Sequence, residues 1–317
     1  MNVAESFNNA SSPLFSFEIL PPLKGNSIYK VFRIVDTLRE FNPSHINITS
    51  HHSEYVLREQ HDGSLKRVSL RRRPGTVAIA AMIQHRYGIT TVPHIICRGF
   101  TKEETEYALI DLNFLGITNL LLLRGDVKSE IVGDDRPGLY HEHATGLQEQ
   151  INKFNAGFSL DDTPLEGIET PFSYGMACYP EKHEEAPNMD SDIRYMKRKM
   201  ELGAKYFVTQ MFFDNSKFFD FVERCRREGI TVPIIPGIKP LARISHLSML
   251  PRTFRCDIPE EFASEIRRCK TDDEVRDLGI EWAVTQCRDL MAHGVKGIHF
   301  YTMSAAANVR EICKRIY

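Results

Sequence analysis

The chain has 317 residues, with 42 Asp+Glu against 40 Lys+Arg and a formal charge of −2. Near neutrality of this kind gives no electrostatic basis for a nucleic acid or an anionic membrane surface as a partner. The longest apolar runs, Leu120–Leu123 and Pro233–Ile238, fall far short of the roughly 20 residues that span a bilayer.

The start of the chain, Met1-Asn-Val-Ala-Glu-Ser, lacks the basic-then-apolar order of a secretion signal, so a cytoplasmic location is expected. The seven cysteines, Cys97, Cys178, Cys225, Cys256, Cys269, Cys287 and Cys313, never fall as Cys-x-x-Cys. Their odd number and scattered spacing suit buried or half-buried reduced thiols, not a zinc ribbon or disulfide framework.

Taken in order, short β-branched runs alternate with longer amphipathic stretches. Leu14–Ile19 reads as a strand, followed by a helix over Ser27–Phe41 and a strand over His45–Thr49. A helix over Thr76–Tyr87 leads to a strand at Thr91–Cys97, a helix at Lys102–Leu115 and a strand at Asn119–Leu123. Thr101 before Lys102-Glu103-Glu104 is an N-cap with acids in the first turn, and Gly116 is the stop signal. The pattern continues with a helix at Ala144–Phe154, strand Phe172–Tyr179, helix Asp190–Leu202, strand Tyr206–Met211, helix Asn215–Glu228 and strand Val232–Ile238. A helical region over Ile244–His293, a strand at Gly297–Tyr301 and a helix at Ser304–Ile316 complete the series.

Eight strand-then-helix units without a Pro-, Gly- or Ser-rich linker predict an α/β fold, a single-domain (β/α)8 TIM barrel over 1–317. Neither Gly-x-Gly-x-x-Gly nor Gly-x-x-x-x-Gly-Lys-Ser/Thr occurs, which argues against a doubly wound nucleotide-binding sheet. One segment breaks the rhythm. His51–Gly75 is too long for an ordinary βα loop. Tyr55–Gln60 and Leu65–Leu70 flank Asp62-Gly63, which predicts a β-hairpin inserted on the C-terminal face. Its Arg67, Arg71, Arg72 and Arg73 read as a solvated or interface face ahead of a phosphate clamp.

A barrel places reactive groups at or just past the C-terminal ends of its strands. Glu18, Thr49, His94, Arg124-Gly125-Asp126, Tyr179 and Gln210 are the polar residues that interrupt or end six of the apolar runs. Any one of them reads as a satisfied strand-end residue; six from six strands favour a ligand site. Glu18 lies in Phe15-Ser-Phe-Glu-Ile-Leu-Pro-Pro22, and a carboxylate in apolar surroundings holds its proton more readily, as a general acid near neutrality must. Asp126 would face a cation forming beside it, and Gly125 would admit a flat ring close to the backbone. Lys197-Arg198-Lys199 could neutralise a diphosphate without a glycine loop. His51-His52 and His141-Glu-His143 lack the spacing of a zinc helix, and no metal site is expected.

These residues give the sequence a resemblance to the methylenetetrahydrofolate reductase family in its short, catalytic-domain form. It is carried by Phe17-Glu-Ile-Leu-Pro-Pro22, Pro93-His94, Leu123-Arg-Gly-Asp126, Tyr179-Pro-Glu-x-His183, Lys197-Arg-Lys199, Thr209-Gln-x-Phe-Phe-Asp214, Ile234-Ile-Pro-Gly-Ile238 and His299-Phe-Tyr-Thr302. The resemblance implies a (β/α)8 flavoenzyme of one-carbon metabolism, with NADH or NADPH reducing FAD before methylenetetrahydrofolate is reduced to 5-methyltetrahydrofolate at the same site. It implies Glu18 as the general acid that opens the folate ring to a 5-iminium cation and Asp126 as the carboxylate that stabilises that cation. Gln210 corresponds to the folate-contacting glutamine. The FAD contacts it implies are Thr49, His94, Arg124, Gly125, Asp126, Ala144, Tyr179, His183, Ala186, Asp192, Arg198 and Lys199.

Two departures stand out. Ser50-His51-His52 replaces the family's aromatic-Gly-Ala after Thr49, and Ser304-Ala305 replaces an Asn-Arg whose arginine holds substrate. An arginine of the Arg71–Arg73 run is the expected substitute. The family's eukaryotic regulatory extension is expected to be absent, and self-association into a homo-oligomer is expected. Two other classes remain open from the residues: another flavin-dependent barrel such as a proline dehydrogenase-like enzyme, and a non-redox barrel, either a metal-dependent hydrolase or a corrinoid-folate binding protein.

Overall fold

A computed structural model describes residues 2–51, 54–125, 138–303 and 305–317. In chain order these form α1 Val3–Asn8, β1 Leu14–Ile19, α2 Tyr29–Leu38 with a 3-10 turn Arg39–Phe41, β2 His45–Ile48, β3 Glu54–Glu59 and β4 Leu65–Leu70. Next come α3 Thr76–Tyr87, β5 Thr91–Ile96, α4 Lys102–Phe114, β6 Asn119–Leu123, α5 Ala144–Asn155, β7 Ser173–Cys178 and α6 Met189–Glu201. The remainder is β8 Tyr206–Thr209, α7 Asn215–Arg227, β9 Ile234–Ile235, β10 Gly237–Ile238, α8 His246–Phe254, α9 Glu260–Arg268, α10 Asp272–Ala292, β11 Gly297–Tyr301 and α11 Ala306–Ile316. The class is α/β and the fold is the (β/α)8 barrel, with β9 and β10 sharing the place of one strand. Proline divides that strand because it cannot donate to a ladder; Pro236 contributes only its carbonyl, which accepts from His299 N at 3.0 Å.

The chain groups into two compact units. One comprises Leu20 and the residues before it, Phe32–Asn47 and Tyr174–Tyr317; the other comprises Pro21–Val31 and Ile48–Ser173.

In the first unit, β1 runs parallel to β11 with Phe17 opposite Phe300 and Glu18 opposite Tyr301. β10 runs parallel to the other edge of β11, with Ile238 opposite Phe300. Side chains alternate between the two faces of such a ladder. Phe15, Phe17, Ile238, Ile298 and Phe300 form a fully apolar, buried face, with Phe15 and Phe17 stacked at 5.5 Å and Phe15 and Phe300 at 5.8 Å. Ser16, Glu18, Gly237, His299 and Tyr301 fall on the opposite face, which is where the polar groups gather.

The helical region over Ile244–His293 is three helices, α8 to α10. Thr271 and Glu274 form a complete capping box that starts α10, and Pro259 precedes α9. Phe262 stacks on Trp282 at 4.2 Å, and Trp282 Nε1 donates to the Phe213 carbonyl. Helix α1 has no counterpart in the sequence reading. Its six residues are too few to show a period, yet Phe7 is buried, and Gly297 makes room for it: a Cβ there would lie 2.4 Å from the Phe7 ring.

In the second unit β5 and β6 are parallel, with His94 opposite Leu121. The expected hairpin is present. β3 and β4 pair antiparallel from Glu54–Leu70 to Glu59–Leu65, and Gly63 takes a φ of +78° in the turn while Asp62 accepts from Ser64 N and Oγ. Arg71 lies against Gly75, Arg72 O accepts from Lys24 N at 2.7 Å, and the Arg73 guanidinium donates to the Pro21 carbonyl. The end of the run therefore anchors the Pro21–Lys24 segment. Arg73→Ala is expected to lower the melting temperature, because the Pro21 carbonyl loses its donor, and a thermal melting curve checks it.

Candidate functional site

In the first unit the polar face of the β10–β11–β1 ladder rises in two rows. Gly237, His299 and Ser16 form the lower one. Ser16 Oγ is 3.0 Å from His299 Nδ1, and the His45 ring stacks on His299 at 6.3 Å. Burial pushes the His45 imidazole down to about 3. The unfolded chain protonates near 6.5 and the folded one does not, so the unfolded state binds more protons between those values. Stability from this group is complete above about 6.5 and is lost as pH falls, at roughly a tenfold change in the folding equilibrium per pH unit. Urea midpoints at pH 7 and pH 4.5 should differ less in His45→Gln than in the parent.

The upper row holds Glu18 and Tyr301 opposite each other. One residue beyond the Ile238–Phe300 pair, Lys239 continues it. Tyr301 Oη donates to the Thr209 carbonyl at 2.6 Å, and Thr302 Oγ1 donates to the Glu18 carbonyl at 2.6 Å. Gly237 allows this arrangement, because a Cβ there would sit 2.5 Å from both Thr209 O and the Tyr301 ring. Gln210 follows Thr209; its backbone N donates to Cys178 O at 2.8 Å and its side-chain Oε1 accepts from Met211 N at 2.9 Å. The row thus reaches from the end of β1 to the end of β8. Burial raises the Tyr301 phenol well above the usual range, reinforced by the Glu18 carboxylate.

The loop after β7 gathers most of the remaining residues of this unit. The Tyr179 ring meets His183 edge-on at 4.7 Å, and His183 N donates to Asp192 Oδ2 at 2.8 Å. Lys182 has a φ of +77°, and its Nζ donates to His183 O and Ala186 O at 2.9 and 2.6 Å. Lys199 on α6 is pushed down by burial and held up by Asp192 and the Cys178 thiol. Arg198 is exposed. Glu181, quoted in the same motif, is tied to Lys217 at 2.7 Å and to Asp257 N at 3.1 Å, which gives it a structural part.

In the second unit, Thr49 Oγ1 is 3.1 Å from His51 Nε2. His94 is buried within β5, and burial, aided by His51, pushes its imidazole down to about 3. Gly125 has a φ of +88°, a region that L side chains rarely adopt, and a Cβ there would lie 3.3 Å from Ile96 Cβ and 3.6 Å from the Arg98 carbonyl. Arg124 O accepts from Arg98 N at 2.9 Å and from Cys97 Sγ at 3.4 Å. Ala144 is the first residue of α5. His141 Nε2 is 2.6 Å from Gln150 Oε1. Asp126, His52 and Ser304 lie outside the described residues.

All seven cysteines are free thiols, six buried and Cys269 half-buried. Burial pushes Cys97 up to about 11 and Cys178 well above the ordinary thiol range, so neither supplies a thiolate near neutrality. Two rings at Tyr179 and His183, cations at Arg198 and Lys199, and a carboxylate that fixes the loop backbone make a donor set that suits an aromatic ligand carrying a diphosphate, such as a flavin dinucleotide.

Lys239, Tyr301 and Thr302 escaped the sequence reading as site residues, although the last two stand in a quoted motif. For Lys239 the signal was a single cation inside an apolar run, Ile-Ile-Pro-Gly-Ile-Lys-Pro-Leu.

The family profile described as methylenetetrahydrofolate reductase matches residues 3–317. The chain belongs to the methylenetetrahydrofolate reductase family. Among curated members, a probable methylenetetrahydrofolate reductase (NADPH) of Caenorhabditis elegans is 30% identical over 304 residues, covering 95% of this chain and 42% of the relative. A methylenetetrahydrofolate reductase (NADH) of Arabidopsis thaliana is 28% identical, over 95% of this chain and 48% of the relative. The chain spans about half the length of these curated relatives. The 5,10-methylenetetrahydrofolate reductase of Salmonella typhimurium is of similar size, 27% identical over 94% of this chain and 88% of the relative. A solved structure of an uncharacterized protein from Clostridium thermocellum, described as binding two copies of 5-methyl-5,6,7,8-tetrahydrofolic acid, has a TM-score of 0.56 and 14% identity, covering 98% of each chain. At that identity the similarity speaks for the fold alone. No helix among the described residues is long and apolar enough to cross a membrane.

Proposed function

We propose that the chain reduces 5,10-methylenetetrahydrofolate to 5-methyltetrahydrofolate, taking its reducing equivalents from NADH or NADPH by a ping-pong route through FAD. The observation that carries the reading is Glu18 on the polar face of a closely packed ladder, backed by Tyr301 and Lys239 and linked through Thr209 to the folate-type glutamine, Gln210. Family membership over nearly the whole chain supports the same reaction. The relatives' names divide between NADH and NADPH, and both stay open here.

Bound FAD would supply hydride transfer from the nicotinamide nucleotide to the folate. Its proposed contacts are Thr49, His94, Arg124, Gly125, Asp126, Ala144, Tyr179, His183, Ala186, Asp192, Arg198 and Lys199. Glu18 moves a proton onto the departing nitrogen of the folate ring, because ring opening leaves an amine that must be protonated. Asp126 is the carboxylate proposed to stabilise the resulting cation. Gln210, with its Oε1 engaged by Met211 N, presents its amide N–H groups as donors toward the folate. An arginine of the Arg71–Arg73 run is kept as the candidate for the grip lost with Ala305. A cytoplasmic, homo-oligomeric enzyme of methionine supply is the setting that fits this chemistry.

Purification followed by denaturation tests the cofactor: release of FAD in near-stoichiometric amount supports the reading, and a colourless, zinc-loaded preparation favours a hydrolase instead. Product identification after incubation with NAD(P)H and methylenetetrahydrofolate tests the reaction.

A further inference from the structure

Helix α4 carries apolar side chains on two opposite faces. Leu109 and Leu112, with Thr105, turn inward and are buried, as a barrel helix requires. On the far side Tyr107, Ile110 and Phe114 follow one another at helical spacing and stay exposed. Leu115, just past the helix, is exposed as well. A surface helix ordinarily turns charge outward, as α7 does with Asp220, Glu223 and Arg227. A helix that is apolar on both faces is one that is covered on both.

The segment 157–170 widens the patch. Leu160 N donates to Glu106 Oε1 and Asn113 Nδ2 donates to Thr170 O at 3.4 Å. Glu106, Ile110 and Asn113 share one flank of α4. These bonds therefore hold the segment along that flank, and it contributes the exposed ring of Phe158. Phe114, Tyr107 and Phe158 are 90%, 64% and 42% exposed, so the three rings alone leave on the order of 400 Å² in water. A patch of that size is at the scale where monomers carry an interaction site. With Ile110, Leu115 and a polar rim of Glu103, Glu104 and Asp111, it approaches the roughly 800 Å² that each partner of a stable pair buries.

Spacing selects what covers it. Tyr107 and Phe114 lie seven residues apart, about 10 Å along the helix, with Ile110 beside their midpoint. Running α4 of a second copy antiparallel about a two-fold axis at that midpoint lays each Tyr107 on the Phe114 of the other copy. The two Ile110 side chains then meet at the centre. Such reciprocity is the mark of a self-complementary contact. Glu104 and Asp111 stand on one side of the stripe, so the two-fold sends the acidic edges of the two copies to opposite rims, where water reaches them. A net charge of −2 on 317 residues adds little repulsion between copies.

We propose that this outer face of α4 is the contact between two copies of the chain, related by a two-fold axis near Ile110, with Tyr107 and Phe114 as reciprocal anchors. The inference names a surface for the self-association put forward under Proposed function and makes no use of the reaction.

The test is the mass of the full chain in solution, by sedimentation velocity and light scattering. The parent should run as two chains of 36.4 kDa, or as a larger even number. Phe114→Asp and Tyr107→Asp each put a carboxylate twice into the apolar seam, and each should halve the mass. Both positions are exposed within the chain, so the far-UV circular dichroism spectrum should match the parent's. The melting temperature of the parent should rise with protein concentration, and that of Phe114→Asp should not. The arrangement has its own readout. Under mild oxidation Ile110→Cys should give a disulfide-linked pair on a non-reducing gel, because the two positions lie beside the axis. Tyr107→Cys should not, since its two copies stand about 10 Å apart along the helices. The parent, six of whose seven thiols are buried, sets the background. A parent that runs as one chain or as an odd number overturns the proposal, as do aspartate variants that keep the parent's mass. Ile110→Cys linking no better than Tyr107→Cys overturns it too. Each of these results leaves folate reduction standing, whereas a paired chain that does not reduce the folate overturns that reading and leaves this one.

Discussion

Glu18→Gln is expected to abolish reoxidation of the reduced enzyme by methylenetetrahydrofolate, by about a hundred- to ten-thousandfold, while flavin reduction by nicotinamide nucleotide persists. The substitution keeps the size and most of the hydrogen-bonding capacity of the side chain and removes only its exchangeable proton. The backbone around it should not move, because Thr302 Oγ1 grips the Glu18 carbonyl and the ladder fixes Glu18 opposite Tyr301. Loss confined to one half-reaction is the signature of a group used only in ring protonation. Equal loss of both half-reactions would place Glu18 in flavin binding or in folding, and the acid assignment would fall. Rapid-mixing absorbance measurements on the two half-reactions separate these outcomes.

Gly237→Ala should carry the largest stability cost among the small substitutions near the site. The added Cβ would stand 2.5 Å from the Thr209 carbonyl, a backbone atom that cannot yield cheaply, and 2.5 Å from the Tyr301 ring. Relief requires Tyr301 to swing away, which breaks its 2.6 Å bond to Thr209 O and leaves buried polar groups without partners. Overpacking and the lost bond together suggest a cost of about 2–5 kcal/mol, read as a lower urea midpoint at an unchanged slope. Because Tyr301 sits between Glu18 and Lys239 in the register, folate reactivity should fall with it. A midpoint equal to the parent's would mean that the ladder is looser than these distances indicate.

The legible parts of this fold were those with a local cause. Strands β1, β6 and β11 and helix α3 match the expected limits because each apolar run is bounded by a turn signal or a polar stop, as Gly88 bounds α3. The hairpin was announced by Asp62-Gly63, whose φ preference is a property of two residues. Longer-range causes were not visible. Helix α1 depends on the space above Gly297, and the division of Ile244–His293 depends on the Thr271 capping box, a local signal that the length of the apolar pattern obscured.

The site divides in the same way. Glu18, Gln210 and Tyr179 announce themselves as polar breaks in apolar runs, whereas His183 stands in a polar stretch and was pointed to by the resemblance. Their neighbours do not, because register between strands nearly 300 positions apart places Tyr301 beside Glu18. The expectation that Glu18 sits among apolar groups was therefore incomplete: Phe15 and Phe17 point to the other face, and the face of Glu18 holds a phenol and a buried amine. Asp192, read as a flavin contact, also fixes the loop through His183 N, a backbone bond that residue type alone does not reveal.

The most direct measurement is anaerobic: the purified enzyme is photoreduced, then mixed with methylenetetrahydrofolate and, separately, with a proline-derived imine. Rapid return of the oxidised flavin spectrum with the folate, accompanied by 5-methyltetrahydrofolate, is the predicted result. Reoxidation by the imine alone, or a preparation with no flavin to reduce, would contradict the account.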